Sequence, residues 1–206
     1  MATYLPPVDR PRGLLIRVVY LFTRRMFGKV PTGTKVFTAR MPAGFVSFYS
    51  KIYRLDKKLR LGSDTALLIR YQVASINTCS ACMDAGRWFA LRESADNAAR
   101  FDALPEYRTS PLFSEAERAT LDYATELTTN KMVSPDTFAR LARHFSEREI
   151  CDIVWLVASE HLANMTNRGL NIGSDGLCEL NPKRRTEALS TSSPQSAEKK
   201  APTTSR

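Results

Sequence analysis

Apolar side chains recur every three or four residues through most of this chain, a spacing typical of amphipathic helices. No segment shows the two-residue alternation of a strand to any strength, so the pattern predicts an all-α fold. Beyond position 60 the predicted helices lie at about 63–77, 81–92, 115–128, 135–144 and 147–162. Residues 95–113, which contain Pro105 and Pro111, are predicted to form loop and short turns.

Serine residues mark the predicted starts of these helices. The pairs Ser114–Glu117 and Ser146–Glu149 have the spacing of a capping box, in which each side chain accepts a hydrogen bond from the other residue's backbone N–H. Ser134 precedes Pro135, which suits the first position of a helix, and Ser63 is predicted to cap the helix that follows it. The caps and the apolar period therefore predict the same helices.

Ahead of these helices lies a basic segment, with an extended lead-in over residues 1–12 and a helix beginning near Gly13. The apolar face predicted for this helix consists of Leu14, Leu15, Val18, Val19, Phe22 and Met26. We expect this face to dock on the domain core. The alternative is that the basic amphipathic helix lies on an anionic membrane surface.

Composition divides the chain into three regions. Residues 1–42 form the basic extension, residues 43–181 a helical domain, and residues 182–206 a tail whose Ser, Thr, Lys and Pro content predicts disorder. No uncharged apolar run is long enough to span a bilayer. The N-terminal apolar run is broken by Arg17 and lacks a small-residue cleavage site, so we expect a cytoplasmic protein.

Charge is distributed unevenly between these regions. Residues 1–60 carry 13 Lys and Arg against 2 Asp and Glu, residues 61–181 carry 11 against 17, and residues 182–206 carry 6 against 2. Basic ends suit an anionic partner, whether lipid headgroups, nucleic acid or an acidic protein. No basic motif typical of nucleic-acid binding is visible, so we expect no nucleic-acid partner and favour ends that are solvated or that neutralise the acidic middle.

The strongest chemical signal is Cys79-Ser80-Ala81-Cys82 at the predicted start of a helix. Two intervening residues let both sulfurs face the same way and close a small disulfide ring. The electropositive helix N-terminus stabilises a thiolate, which is the form that attacks peroxides and disulfides. A neighbouring thiol can then resolve the oxidised sulfur, so the pattern favours a redox-active pair.

Two other interpretations of the pair remain open. Both cysteines could be buried apolar residues, or they could bind zinc. Zinc usually takes four ligands, and the remaining candidates form no second close pair: Cys151, Cys178, His144 and His161. Redox chemistry is therefore favoured, and neither a metal nor another cofactor is expected. Cys151 lies beside Ile150 and Ile153 and is expected in the core.

The sequence around the pair, Ile69-Arg70 followed by Val73 through Asp84, resembles the signature of the carboxymuconolactone decarboxylase-like superfamily, in its AhpD-like alkylhydroperoxidase branch. The resemblance implies an all-α domain that assembles as trimers or hexamers. It also implies peroxide reduction in which Cys82 attacks, Cys79 resolves and a dithiol partner recycles the disulfide.

The chain departs from the family signature in its proton relay. The family Glu, twelve residues before the first cysteine, is Leu67 here, and the family His, four residues after the second, is Gly86. The polar or aromatic residue just before the second cysteine is Ala81. General-base help of this kind contributes about 10²–10⁴-fold, so its absence affects peroxide turnover more than thiol–disulfide exchange.

His161 and Asp84 are the candidates to replace the relay or to line a pocket. His161 would serve if its helix packed beside Cys82, although an ordinary core or interface histidine is the simpler interpretation. Asp84 matches a family position but lies two residues past Cys82. It is therefore expected to point away from the sulfur and to cap a helix or pair with Arg87 or Arg70.

Three functions compete. The first is an oxidoreductase that reduces hydroperoxides or disulfides through Cys79 and Cys82. The second is a non-catalytic oligomeric binding or scaffold protein that has lost the relay, which Leu67 and Gly86 favour. The third is a decarboxylase-like enzyme acting on a cyclic carboxylate. It ranks lowest, because that branch of the superfamily does not rely on a CxxC and no suitably placed His is visible.

Overall fold

The structure, a computed structural model, describes residues 2–94 and 97–180. Regular structure in those residues is helical and no strand is present among them, which confirms the all-α prediction. The α-helices are α1 Leu14–Phe27, α2 Pro42–Asp56, α3 Ser63–Ile76, α4 Ser80–Glu93, α5 Asn97–Asp102, α6 Glu115–Asn130, α7 Pro135–Ala142 and α8 Glu147–Arg168. A π-helical segment covers Thr34–Thr38, and 3-10 turns cover Leu104–Glu106 and Leu177–Leu180. The disorder predicted for residues 182–206 concerns a segment outside this description.

Most of the predicted helix starts are confirmed. The capping boxes at Ser114–Glu117 and Ser146–Glu149 are both complete, and Ser134 caps α7 through its side chain. Ser63 is instead the first residue of α3, because Gly62 occupies the capping position with an extended backbone and no side chain caps this helix. Polar side chains thus start the later helices, whereas α3 depends on packing.

The prediction for residues 95–113 was wrong in part, because this stretch contains α5 and a 3-10 turn. Several of its aromatic and aliphatic side chains are buried, namely Phe101, Leu104, Tyr107 and Phe113. At six residues α5 is too short for an apolar period to stand out ahead of Pro105 and Pro111.

Helix α3 lies at the centre of the core, packed against α4, α6 and α8. The main apolar cluster joins α3 to α6, α7 and α8 and includes Ile69, Val73, Ala124, Leu141, Ile153 and Val157. A second cluster joins α3 to α4, α5 and α6 and includes Leu68, Ala90, Phe101 and Leu121. Burial of these side chains is the main force that fixes α3, and with it the turn that follows α3.

Helix α1 docks only in part through the predicted face. Ile16 and Tyr20, outside that face, are buried against Val30 within the N-terminal segment, and Val19 is partly buried beside them. Met26, on the predicted face, is partly buried against the cluster of Trp88 and Leu177 in the helical domain. The rest of the predicted face is exposed: Leu14, Leu15, Val18 and Phe22. Apolar residues occur nearly all the way around α1, so periodicity alone does not identify the docked face.

Backbone hydrogen bonds hold the segment before α1 against the rest of the chain. The Tyr4 N–H donates to the Leu170 carbonyl and the Val8 N–H to the Lys35 carbonyl, both at 3.1 Å. After α1, the Thr32 N–H donates to the Asp175 carboxylate at 2.6 Å.

None of the described helices is both long and apolar enough to cross a membrane. The division into an extension and a domain at residue 42 stays a prediction.

Candidate redox site

Cys79 and Cys82 lie where α3 passes into α4. Helix α3 ends at Ile76, and Cys79 occupies the capping position of α4. Between the helices Thr78 has a left-handed backbone with φ of 51°. This tight reversal places both sulfurs in the first turn of α4, where the unpaired backbone N–H groups favour a negatively charged sulfur.

The two cysteines form a disulfide, and their Cα atoms are 5.3 Å apart. They differ in exposure, because Cys79 is 1% exposed whereas Cys82 is partly exposed. An external reagent therefore reaches Cys82 more readily than Cys79.

Asn167, near the end of α8, contacts the accessible sulfur. Its Nδ2 donates a hydrogen bond to Cys82 Sγ at 3.3 Å. Such a donor stabilises a thiolate once the disulfide is reduced. The next residue, Arg168, donates to the Thr78 carbonyl at 2.9 Å and also bonds the Thr78 hydroxyl. Helix α8 therefore holds both the reactive sulfur and the turn in front of the pair.

A chain of polar side chains runs from this turn into the interior. The Asn77 side-chain amide donates to Asn164 Oδ1 at 2.8 Å and lies 3.1 Å from Nδ1 of His161. The Asn164 amide in turn donates to the Glu160 carboxylate at 2.7 Å. Asn164 and Glu160 are both buried. The chain links the residue two positions before Cys79 to a carboxyl group on α8.

Arg70 partly compensates the buried charge of Glu160. The Arg70 guanidinium lies 3.4 Å from the Glu160 carboxylate and 2.8 Å from the Asp56 carboxylate, and the Trp155 indole N–H also donates to Asp56. Burial raises the pKa of Glu160, and the positive charge of Arg70 only partly offsets that effect. Glu160 consequently keeps its proton to higher pH than an exposed glutamate.

The structure places His161 beside Asn77 rather than beside Cys82. Burial lowers the pKa of His161, and the charge of Lys131 lowers it further. The ring is therefore neutral over a wider pH range than an exposed histidine. Within the described contacts it is Asn167, not His161, that connects α8 to Cys82.

Asp84 points away from the Cys79–Cys82 pair and anchors the loop that follows α8. It accepts hydrogen bonds at 2.9–3.1 Å from the Ser174 hydroxyl and from backbone N–H groups within residues 175–178. Burial alone would raise the pKa of Asp84, but these donors outweigh burial and lower the pKa. Of the two expected roles, Asp84 takes the cap, because it accepts from the Leu177 and Cys178 N–H groups that begin the 3-10 turn. It does not pair with either arginine: Arg87 pairs with Asp102, and Arg70 pairs with carboxylates on α2 and α8.

The two positions where the resemblance expects a Glu and a His are apolar. Leu67 packs against the cluster around Phe101, together with Tyr71. A Cβ atom added at Gly86 would lie 3.5 Å from the Tyr71 ring, an ordinary van der Waals contact. Position 86 therefore accommodates a Cβ atom without a clash.

Cys151 is exposed, which corrects the expectation that it lies in the core. Its neighbours Ile150 and Ile153 are buried, but residues one and two positions apart on a helix face in different directions. Cys178 is buried, and its Sγ donates to the Asp84 carbonyl. Over residues 2–94 and 97–180 no group of three or more His, Cys, Asp or Glu is arranged to hold a metal ion.

Two surface clefts lie apart from the cysteine pair. One, of about 390 Å³, lies at α6 and α7 around Asp122 and Glu126. The other, of about 400 Å³, lies at the C-terminal end of α1 around Arg24, Lys29 and Asp175. Neither is lined by Cys79 or Cys82, so the pair is reached from the surface and not through either cleft.

Sequence reasoning missed the α8 side of the site. The residues it did not single out are Asn77, Asn164, Asn167 and Arg168. One signal was available, because Glu160, Asn164 and Arg168 are spaced four residues apart and form a polar stripe on a long helix with many apolar residues. Glu160 and Asn164 of this stripe are buried, and buried polar side chains are usually hydrogen-bonded.

No family model matches this sequence. The chain is 26% identical over 182 residues to the uncharacterized protein YnjA of Escherichia coli K12, covering 87% of this chain and 98% of the relative.

Among solved structures, the debrominase Bmp8 superposes with a TM-score of 0.73 at 21% identity, covering 87% of this chain and 96% of Bmp8. A peroxidase-related protein of Silicibacter sp. TM1040 superposes with a TM-score of 0.70 at 21% identity, covering 82% of this chain and 90% of that protein. An alkylhydroperoxidase AhpD core protein of Ralstonia eutropha JMP134 superposes with a TM-score of 0.67 at 22% identity, covering 84% of this chain and 95% of that protein. These structures confirm the predicted fold, since the chain has the all-α fold of the AhpD-like proteins.

Proposed function

We propose that this chain, which has the AhpD-like all-α fold, is a thiol–disulfide oxidoreductase that reduces hydroperoxides or disulfides through Cys79 and Cys82. The observation that carries the proposal is the disulfide in the first turn of α4, with one buried sulfur and one accessible sulfur that accepts a hydrogen bond from Asn167. The shared fold and the CxxC pair support a redox role at the level of the family.

With a hydroperoxide, the Cys82 thiolate attacks the outer peroxide oxygen and the O–O bond breaks. The alcohol leaves with a proton, and Cys82 becomes a sulfenic acid. The Cys79 thiol then attacks Cys82, the S–S bond forms and water leaves. A dithiol reductant returns two electrons by exchange at the accessible sulfur, which restores both thiols.

With a disulfide substrate, Cys82 forms a mixed disulfide that Cys79 resolves, and no oxygen chemistry is needed. This reaction demands less of a general base, which suits a site with Leu67 and Gly86 at the two relay positions. The dithiol partner, the trimeric or hexameric assembly and the cytoplasmic location stay predictions.

Leu67 and Gly86 also favour a second candidate, a non-catalytic binding member of the fold that keeps the disulfide as a structural link. In that case the apolar surface at Leu67 and Tyr71 would serve binding, not proton transfer. The two candidates differ in whether the reduced pair reacts faster than an ordinary exposed thiol.

The experiment starts from fully reduced protein and one equivalent of an organic hydroperoxide, a small disulfide or a brominated pyrrole. The third reagent is included because the debrominase Bmp8 was solved in complex with 2,3,4-tribromopyrrole. Peptide masses follow the Cys79–Cys82 disulfide over time, and dihydrolipoamide is then added. We expect fast disulfide formation with a hydroperoxide or a disulfide, and its reversal by the dithiol. Thiols that stay intact with all three reagents would overturn the redox proposal in favour of the binding protein. The exposed Cys151 supplies an internal reference for an ordinary thiol.

A further inference from the structure

Helix α1 presents an apolar face to solvent on the side away from its docked residues. At 3.6 residues per turn this face spans an arc of about 120°. It consists of Leu14, Leu15, Val18, Leu21 and Phe22, all exposed, with Leu14 at 80% and Leu21 at 70%. Ile16 and Tyr20, on the opposite side, are buried against Val30 within the N-terminal segment. Met26 and Phe27 pack against the cluster of Trp88 and Leu177 in the helical domain. The helix is thus attached to the domain while its outer face remains uncovered.

Positive charge lies within this face and along one edge of it. Arg25 lies within the arc, Arg17 and Arg24 lie along one edge, and all three side chains are exposed. In the part of the chain that the structure describes, no salt bridge joins these arginines to a carboxylate. From Arg10 to Leu55 the sequence has ten Lys and Arg and no Asp or Glu.

The positive charge continues past the end of α1. The cleft there is lined by Arg24, Lys29 and Lys35, with Asp175 as its single carboxylate. Lys29 is paired with Asp175 and Lys35 with Asp9, which leaves Arg24 as the excess charge of the cleft. The surface around α1 therefore combines apolar side chains with a field that attracts anions.

A second copy of the same helix is a poor occupant for this face. Symmetric pairing would bring Arg17, Arg24 and Arg25 of two copies together, with no carboxylate on the segment to separate them. An anionic bilayer meets both requirements, because its interface accepts large apolar side chains while its headgroups neutralise arginine. The long arginine side chain can also place its apolar stem beside the acyl chains and its charge among the headgroups.

We propose that α1 is a docking helix for an anionic lipid surface, lying in the plane of the interface with Leu14, Leu15, Val18, Leu21 and Phe22 inserted. This placement is independent of the cysteine chemistry.

Flotation with lipid vesicles tests the proposal on the full-length chain. Vesicles contain either phosphatidylcholine alone or phosphatidylcholine with phosphatidylglycerol. We expect binding to the anionic vesicles, weaker binding at high salt and little binding to phosphatidylcholine alone. Leu21→Ser combined with Phe22→Ser should weaken binding at least about tenfold, and Arg24→Ser combined with Arg25→Ser about 20-fold. These side chains are exposed, so the variants should keep the circular dichroism spectrum of the unmodified chain.

Matched controls lie elsewhere on the surface. Met132→Ser removes an apolar side chain that is 74% exposed, and Arg143→Ser removes an exposed charge. Both should bind vesicles like the unmodified chain. All of these variants keep the basic residues beyond position 181, so those residues do not account for a difference between them. Absence of binding to anionic vesicles at low salt, or binding that the α1 variants leave unchanged, overturns the proposal. So does light scattering in which Leu21→Ser with Phe22→Ser breaks up an assembly, because the face would then be an interface between copies.

Discussion

The two sides of the cysteine pair differ in polarity. On the α8 side, Asn167 reaches Cys82, and a hydrogen-bonded chain through Asn77 and Asn164 ends at the buried Glu160. On the α3–α4 side, Leu67 packs in an apolar cluster and Gly86 leaves space beside a tyrosine ring. One side is organised to hold a charged sulfur, and the other offers it no proton acceptor.

This difference separates two requirements of thiol chemistry. Stabilising a thiolate needs donors and a helix N-terminus, which the α8 side and α4 supply. Moving a proton during the reaction needs a general base, which the resemblance places at positions 67 and 86. The site meets the first requirement without the second, so thiol–disulfide exchange should be faster relative to peroxide reduction than in a protein with both.

Removing either cysteine should have the largest effect, because both sides act on the same pair. Cys82→Ser should abolish turnover of hydroperoxide with dihydrolipoamide, and Cys79→Ser should allow one reaction and then stop. Cys151→Ser is the control, since that exposed cysteine lies outside the pair. Hydroperoxide consumption measures all three, and sustained turnover by Cys82→Ser would contradict the assignment.

The second-largest effect is expected from adding a proton relay on the α3–α4 side, which should raise the rate of peroxide reduction. The double variant Leu67→Glu with Gly86→His adds a base at the two relay positions, and a Cβ atom at position 86 meets only an ordinary contact with Tyr71. We expect the rate of peroxide reduction to rise about 10²-fold or more, because general-base catalysis contributes about 10²–10⁴-fold. Leu67→Gln with Gly86→Asn is the control, since amides of similar size cannot take the proton. Equal rates for the two variants would show that proton transfer does not limit the reaction.

Removing the donor on the polar side should have an intermediate effect. A hydrogen bond to a charged group contributes about 1.5–3 kcal/mol, so Asn167→Ala should slow the reaction of reduced Cys82 at neutral pH about tenfold or more. The pH of half-maximal alkylation by iodoacetamide should move upward, because the thiolate loses a stabilising donor. Met165→Ala, an exposed change on the same helix, should leave the profile in place. An unchanged profile in Asn167→Ala would mean that this contact does not stabilise the thiolate.

The far end of the polar chain should act on stability in a pH-dependent way. Because burial raises the pKa of Glu160 above its ordinary value of 4.5, its folded form binds a proton more tightly than its unfolded form. The stability that this proton contributes is present below pH 4.5 and is lost as pH rises through the higher folded pKa. Glu160→Gln should therefore become more stable relative to the unmodified chain as the pH rises from 4.5 toward neutrality.

Urea denaturation at several pH values measures this difference. Glu147→Gln, an exposed change in the first turn of α8, is the control and should show no such trend. A constant difference between Glu160→Gln and the unmodified chain would mean that folding does not raise the pKa of Glu160.

Local patterns predicted the parts of the molecule that depend on neighbouring residues. Each capping box, at Ser114 and at Ser146, involves residues within a span of four. The position of the CxxC pair depends only on where α4 begins. The contact of Asn167 with Cys82 joins residues 85 positions apart, and Asp84 meets Cys178 across 94. Such pairs depend on how α8 and its following loop pack on α3 and α4, which no local spacing encodes.

The docked face of α1 shows a second limit. The helix is also apolar outside the predicted stripe, at Ile16, Tyr20 and Leu21. Several of its faces are therefore apolar enough to be buried. Packing against Val30 selects the face with Ile16 and Tyr20. The sequence predicted a basic amphipathic helix correctly, and only tertiary contacts reveal that much of its apolar surface stays exposed.

The central claim is that Cys82, the accessible sulfur beside Asn167, is the attacking thiol. The most direct test treats reduced Cys79→Ser and Cys82→Ser, each also carrying Cys151→Ser, with one equivalent of hydroperoxide in the presence of dimedone, which traps sulfenic acids. Peptide mass spectrometry then locates the adduct. We predict a dimedone adduct on Cys82 in the first protein and none on the buried Cys79 in the second. An adduct on Cys79, or no adduct in either protein, would contradict the account.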